Sequence, residues 1–240
     1  MEYNLTTLEK GCEELGVTLS PVQKEQFIKF YEFLVEKNKV MNLTGITEFE
    51  EVLVKHFLDS LACVKAVDMS KIHKVMDVGT GAGFPGIPLK IVYPEIRFCL
   101  LDSLNKRVKF LQEVFDLLGM DKITAVHGRA EEYARDERHR EQYDLCVSRA
   151  VSNLATLSEY CIPFVKPGGF FVSYKSGKIK EETQQARKAI TIMGGSLKEV
   201  PHFMLPDSEI ERSLVIIKKE KKTPAKYPRK AGTPLKEPLV

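Results

Sequence analysis

Between residues 20 and 70 the apolar positions recur at helical spacing. In "SPVQKEQFIKFYEFLVEKNKV", Phe27, Phe30, Tyr31 and Leu34 fall three and four apart and line one face of a helix. Ser20 stands where an N-cap belongs, Pro21 at the first helical position, and Gln23 completes a capping box. A second helix is predicted over "FEEVLVKHFLDSLACVKAV", after the loop "NLTGIT". From about residue 75 the period changes. The short apolar runs "KVMDV", "RFCLLD", "ITAVHG", "YDLCVSRA" and "GGFFVSYK" read as buried parallel strands, with helices near 85 to 92, 104 to 118, 152 to 162 and 178 to 193 between them. Strand and helix in alternation give an α/β fold, a doubly wound, Rossmann-like sheet of about seven strands. "GGSLKEVPHFML" and "IERSLVIIKKE", joined by "PDSE", suit an antiparallel hairpin at its edge. The last twenty residues hold four prolines, which argues against regular structure and leaves either disorder or a path draped over the domain. The expected division is a helical extension over 1–70, an α/β domain over 71–220 and a basic, proline-rich tail over 221–240.

Composition narrows the class. With 240 residues, 43% of them apolar, a sizeable core is available. The start, "MEYNLTTLEKG", lacks the basic-then-apolar build of a signal peptide, and no apolar run is long enough to span a bilayer, so a cytoplasmic protein without membrane attachment is expected. Cys12, Cys63, Cys99, Cys146 and Cys161 are odd in number and widely spaced, with no CxxC, which argues against disulfides and a metal site. The segment 218 to 240 carries eight Lys/Arg against Glu220 and Glu237, a local +6 in a chain of net +3, so the remainder is −3. A basic segment on an acidic body fits either a polyanionic partner or a solubilising tail.

"DVGTGAGFPGIPL" places Gly79, Gly81 and Gly83 after a strand. The third glycine of a dinucleotide fingerprint would fall at Phe84, and the Gly-Lys-Ser/Thr of a phosphate loop is missing. "RFCLLD" ends in Asp102, 23 positions after Gly79, where a doubly wound sheet sets a carboxylate against ribose hydroxyls. The third strand leads into Ala130 and Glu131, near where an adenine ring would lie, although a carboxylate at a helix start is also favoured by the helix dipole. Together these features indicate S-adenosyl-L-methionine rather than a nicotinamide cofactor.

The motifs "DVGTGAGFPGIPL", "LLDSLNKRVKFL", "GRAEEY", "SRAVSNL", "KPGGFF", "RSLVIIKK" and "YPRKAGTPLKEPL", with "NLTGI" and "HFLDSL" upstream, resemble the glucose-inhibited division protein B family from about residue 38 to the C-terminus. The resemblance implies a bacterial class I methyltransferase acting on N7 of a guanine in the decoding-region loop of 16S ribosomal RNA. It also implies cofactor positions at Gly79, Phe84, Ala130, Glu131 and Arg149, to which the glycine turn and strand end add Gly81 and Asp102.

The chemistry agrees. Guanine N7 carries a free lone pair and needs no general base, so alignment and electrostatics carry the reaction. The fourth strand leads into "SRAVSNL" rather than an Asn/Asp-Pro-Pro-aromatic motif of amino-group methylation, and a Pro-Cys pair is absent at Cys161. Arg149 is the catalytic candidate. It suits the methionine carboxylate, guanine O6 or phosphate equally, or an ion pair with Asp144 or Glu131. Candidate RNA contacts are Lys175, Arg212, Lys226, Arg229 and Lys230, with Tyr227 as a stacking surface for the 16S rRNA or small ribosomal subunit. Phe84 either lines the cofactor or wedges the helix. His56 and Asp59 lie a helical turn apart and either face the cleft or are structural. A monomer is expected. A methyltransferase of another substrate and a non-catalytic RNA-binding assembly factor are the competing classes.

Overall fold

A computed structural model describes residues 3–149, 152–177 and 179–240. Two helices open the chain, α1 (Thr6–Glu14) and α2 (Pro21–Met41). The capping box forms as the sequence requires: Gln23 N donates to Ser20 Oγ and Ser20 N to Gln23 Oε1. The helical stretch from residue 49 to 65 is not uniform. Turns α3 (Phe49–Val52) and α4 (Asp59–Leu61) flank a wide π-helical turn at Leu53–Leu58, and a 3-10 turn at Ala62–Lys65 ends it. Such wide turns gather at functional sites.

The sheet then forms by alternation: β1 (Lys74–Val78), α5 (Gly86–Val92), β2 (Arg97–Asp102), α6 (Asn105–Leu118), β3 (Ile123–His127), α7 (Ala130–Tyr133), β4 (Tyr143–Ser148), α8 (Leu154–Cys161) and β5 (Val165–Ser176). The helix expected at 178 to 193 is two, α9 (Lys180–Gln185) and α10 (Arg187–Ile192), separated at Ala186. β6 (Gly195–Glu199) and β7 (His202–Met204) both pair antiparallel with β8 (Glu211–Lys219). The order is β3-β2-β1-β4-β5-β8-β6, parallel from β3 to β5 and antiparallel beyond. β8 inserts beside β5 rather than lying outermost, so its first residues meet the C-terminal ends of the parallel strands. Ser176 pairs with Arg212.

The two faces bury separate cores. One joins Phe27, Phe30 and Leu34 of α2 to Val75, Leu100 and Val172 of the sheet, so the N-terminal helices share a continuous core with it. The other packs α8 and α10 against Met76, Cys146 and Val215. All five cysteines are buried thiols.

The last twenty residues drape over the second face and are not wholly irregular: Thr233–Lys236 makes one helical turn, α11, with Pro234 in its first turn, where no amide hydrogen is needed. Arg140 donates to the carbonyls of Thr223 (2.8 Å) and Tyr227 (2.9 Å), Thr156 Oγ1 to Pro234 O (3.0 Å), and Arg229 forks onto the buried Glu159. Buried Lys219 ties the start of this strap to the body through Ile162 O, Met193 O and Thr223 Oγ1, and burial pulls its pKa down to about 8.

Candidate functional site

Parallel pairing in register brings four strand ends to one rim: Val78 lies opposite Leu101, Asp102 opposite His127, and Ser148 opposite Ser173. A cavity of about 450 Å³ opens there, where α/β sheets collect ligands. Gly79 and Gly81 form its floor with φ of +72° and +62°, a backbone region costly for any side chain, and a Cβ on Gly81 would point into open space. Asp77, buried in β1, stitches this turn: its Oδ2 accepts from Thr80 Oγ1 (2.7 Å) and Gly86 N (2.9 Å), while its Oδ1 has no partner among the described residues. Burial raises its pKa to about 7, against the pull of those two bonds.

The side wall is Asp102. Its Oδ2 accepts from Gly81 N and its Oδ1 from Leu104 N, both at 2.9 Å, and Arg107 stands at 3.4 Å. A carboxylate has about four acceptor positions and these three bonds fill three of them, so capacity remains on Oδ1 for a hydroxyl on the cavity side. Glu131 is buried on α7, and its Oε1 accepts from Gly232 N (2.8 Å), an anchor in the C-terminal strap. With Ala130 and Tyr160 it bounds the cavity's far end. A carboxylate pair and an exposed backbone turn at this spacing fit an adenosine-bearing ligand.

The near wall is built on Phe84. His56 stacks on its ring at 4.4 Å and the Arg149 guanidinium lies over it at 4.9 Å. Arg149 does not pair with Asp144 or Glu131. Asp144 sits at the opposite end of β4, about 16 Å along the strand, holding His73 N and Lys74 N. Its partner is Asp59, through Nη1 at 2.9 Å. Nη1 also donates to Lys55 O (3.0 Å). His56 Nδ1 lies 3.2 Å from both Arg149 Nη2 and Lys55 O, and its Nε2 meets Thr44 Oγ1 at 2.8 Å. Thr44 is placed by Asn38, whose side chain bonds Leu43 N, Thr44 N and Thr44 O in "NLTGI". Asp59 uses its second oxygen on Arg212 Nε (2.9 Å). The helical pair His56 and Asp59 thus faces the cleft.

Burial, then the positive charge of Arg149, lowers the His56 pKa to about 3. In the unfolded chain the imidazole takes a proton near pH 6.5, whereas in the fold it stays neutral. Stability from this group is therefore complete above about pH 6.5 and is lost as pH falls toward 3, at no more than about 1.4 kcal/mol per pH unit. Melting scans from pH 7 to 4 should show a steeper fall for the wild type than for His56→Gln, and equal slopes would refute the assignment.

The structure separates the candidate RNA contacts. Lys175 is the penultimate residue of β5, and its Nζ bonds Ser152 O (2.7 Å) and Glu182 Oε1 (2.6 Å). Lys175, Arg212 and Arg149 line a second cavity of about 530 Å³ beside the first. Lys226 and Lys230 are exposed on the strap. Arg229 lies between them, with its Nε and Nη2 held by Glu159. Thr44, Arg107, Tyr160 and Glu182 were not singled out from the sequence, although Thr44 lies in the quoted "NLTGI" and Arg107 in "LLDSLNKRVKFL". Among the described residues no group of three or more His, Cys, Asp or Glu side chains is arranged to hold a metal, and no helix is long and apolar enough to cross a membrane.

The strand order and rim cavity define the class I S-adenosylmethionine-dependent methyltransferase fold. It is shared with a putative O-methyltransferase from Klebsiella pneumoniae (TM-score 0.55, 11% identity, covering 89% of this chain and 96% of that one). It is also shared with NSun6 from Pyrococcus horikoshii (TM-score 0.55, 13% identity, 70% and 53%). Residues 23–215 match the family described as GidB, rRNA small subunit methyltransferase G, and the chain belongs to it. Ribosomal RNA small subunit methyltransferase G of Alkaliphilus metalliredigens is 53% identical over 232 residues, 97% of each chain. The Bacillus licheniformis protein of that name is 46% identical over 236 residues, 98% of this chain and 99% of its own.

Proposed function

We propose that this chain is a cytoplasmic, monomeric enzyme that methylates N7 of a guanine in the decoding-region loop of 16S rRNA within the small ribosomal subunit. The observation that carries this reading is the joined pair of cavities in a chain of this family: one suits adenosine, and the other, walled by Arg149, Lys175 and Arg212, suits a polyanion's base. S-adenosylmethionine, when bound, supplies a methyl group on a sulfonium centre. Gly79 and Gly81 would offer backbone to it, Asp102 would accept from a ribose hydroxyl, and Ala130 and Glu131 would stand at the adenine edge.

N7 attacks with its own lone pair, so none of these residues needs to remove a proton. Their work is alignment within a closed wall. Phe84 and His56 exclude water from one side, and Asp59 and Lys55 O fix the guanidinium plane of Arg149 at the junction of the cavities. Two of Arg149's five donors are committed to Lys55 O and Asp59, which leaves others for the ligand. Exposed Lys226 and Lys230 add phosphate contacts and make affinity fall with salt.

The test is transfer of labelled methyl from S-adenosylmethionine to small subunits from cells lacking this gene, followed by digestion to nucleosides. Label should appear in 7-methylguanosine with those subunits and not with subunits from the parent strain. Label in another nucleoside, in protein or nowhere would overturn the proposal.

A further inference from the structure

The second cavity shares His56, Arg149 and Ser152 with the first, so an atom presented at that shared wall can be met from both sides. Two carboxylates line it. Asp59 spends one oxygen on Arg149 and the other on Arg212. Glu182, in the first turn of α9, is held differently: Oε1 accepts both Leu154 N (2.7 Å) and Lys175 Nζ (2.6 Å), and Oε2 has no bond among the described residues. Lys175 is itself fixed by Ser152 O. Glu182 is thus a carboxylate pinned by one oxygen, with the other open to a cavity large enough for a nucleotide.

We infer that this cavity takes the target base and that Glu182 determines its identity by accepting from the N1–H and N2 amino group of guanine. The inference rests on the proposed function. N7 must stand at the shared wall, which turns the adjoining Watson–Crick edge toward the interior of the second cavity. Guanine presents two neighbouring donors there. Adenine presents an unprotonated N1, which a carboxylate repels, so the same group selects for one purine and against the other.

The charge balance adds a second consequence. Methyl transfer forms the N7–carbon bond, breaks the carbon–sulfur bond and moves the positive charge from sulfur to the purine. That makes N1–H a stronger donor, and its bond to Glu182 tightens as the charge arrives, an interaction stronger in the transition state than in the ground state. Glu182 needs to accept no proton for this.

The experiment compares methyl transfer by wild type and Glu182→Gln on small subunits reconstituted with guanosine or inosine at the target position. Inosine keeps N7, O6 and N1–H but lacks the N2 amine. The glutamine oxygen can still accept from Leu154 N and Lys175 Nζ but no longer neutralises Lys175, so the variant should melt below the wild type yet bind S-adenosylmethionine with an affinity changed by no more than about twofold, as for a substitution outside the cofactor site. Wild type should lose about 10–100-fold in kcat/KM on inosine, as should the variant on guanosine, the scale of a lost charge-assisted hydrogen bond. The variant should lose little more on inosine, because the acceptor for the missing N2 amine is already gone. If Glu182→Gln melts below the assay temperature, Glu182→Asp, which keeps the charge on a shorter arm, carries the same comparison. Full activity of the variant on guanosine, or a wild type indifferent to inosine, would overturn the inference while leaving the proposed function standing. No transfer by wild type to guanosine subunits would remove both.

Discussion

Replacing Asp59 with alanine should lower the melting temperature by about 5–10 °C, the shift expected in a chain of this size from a loss of about 2–3 kcal/mol. Asp59 is almost fully buried and is the shared counter-ion of two guanidiniums, Arg149 and Arg212, each at 2.9 Å. Removing it leaves two positive charges side by side in a low-dielectric cleft, where breaking a fully buried pair costs about 3–5 kcal/mol. The arginine side chains keep 18% and 21% of their exposure, so water offsets part of that loss. Function should fall further than stability. Without Asp59 the Arg149 guanidinium loses the bond that sets its plane over Phe84, and misplacement of about 1 Å at a reacting centre costs about 100-fold in rate. Asp59→Asn separates the two effects: it keeps the shape, should melt closer to the wild type, and should still lose methyl transfer while S-adenosylmethionine binding is largely kept. An Asp59→Ala protein with wild-type melting and turnover would show that the bridge contributes nothing.

Truncation after Glu220 should weaken S-adenosylmethionine binding about tenfold as well as impairing RNA binding. The strap is not merely a basic appendage. Gly232 N holds the Oε1 of Glu131 at the cavity's end, and Arg229 neutralises Glu159, which is 1% exposed and stands next to the cavity residue Tyr160. Loss of the strap leaves Glu159 a buried, unpaired charge and Glu131 without its bond to Gly232; each missing charge-assisted bond is worth about 1.5–3 kcal/mol. Calorimetric titration with S-adenosylmethionine reads the effect without any RNA present. A truncated protein that binds the donor normally would confine the strap to RNA contact. For the same reason, loss of turnover on deleting 221–240 does not by itself identify an RNA substrate: the deletion also removes the bond that Gly232 makes to Glu131 at the rim cavity. Lys226→Ala with Lys230→Ala is the cleaner change. Both side chains are exposed, and their loss should act through phosphate contacts, with a smaller salt dependence of binding.

Much was legible because it is local. The capping box at Ser20 and Gln23, the strand starts at Lys74, Arg97 and Tyr143, and the glycine turn after Val78 each follow from neighbouring residues and backbone preference. Once those strands are parallel and in register, Gly81, Asp102, Ala130 and Arg149 must meet at one rim, so the lining of this cavity was readable at a distance. The other side was not. Arg149 is 90 residues from Asp59, and Arg212 a further 63 positions along the chain; no periodicity links the three. Asp144, close in sequence, was the more obvious partner, but strand geometry carries it to the opposite end of the sheet.

By itself, then, the sequence determined the alternation of strands and helices, the sheet class and the rim where the strand ends meet, because propensity, turn chemistry and right-handed crossovers act over short spans. Only the tertiary structure decided which charges pair. The antiparallel insertion of β8 brings Arg212 to the rim, the wide turn at Leu53–Leu58 turns His56 and Asp59 to the cleft, and the strap carries Arg229 and Gly232 to Glu159 and Glu131. A buried charge needs a counter-ion wherever the fold supplies one, and that choice is made in space rather than along the chain.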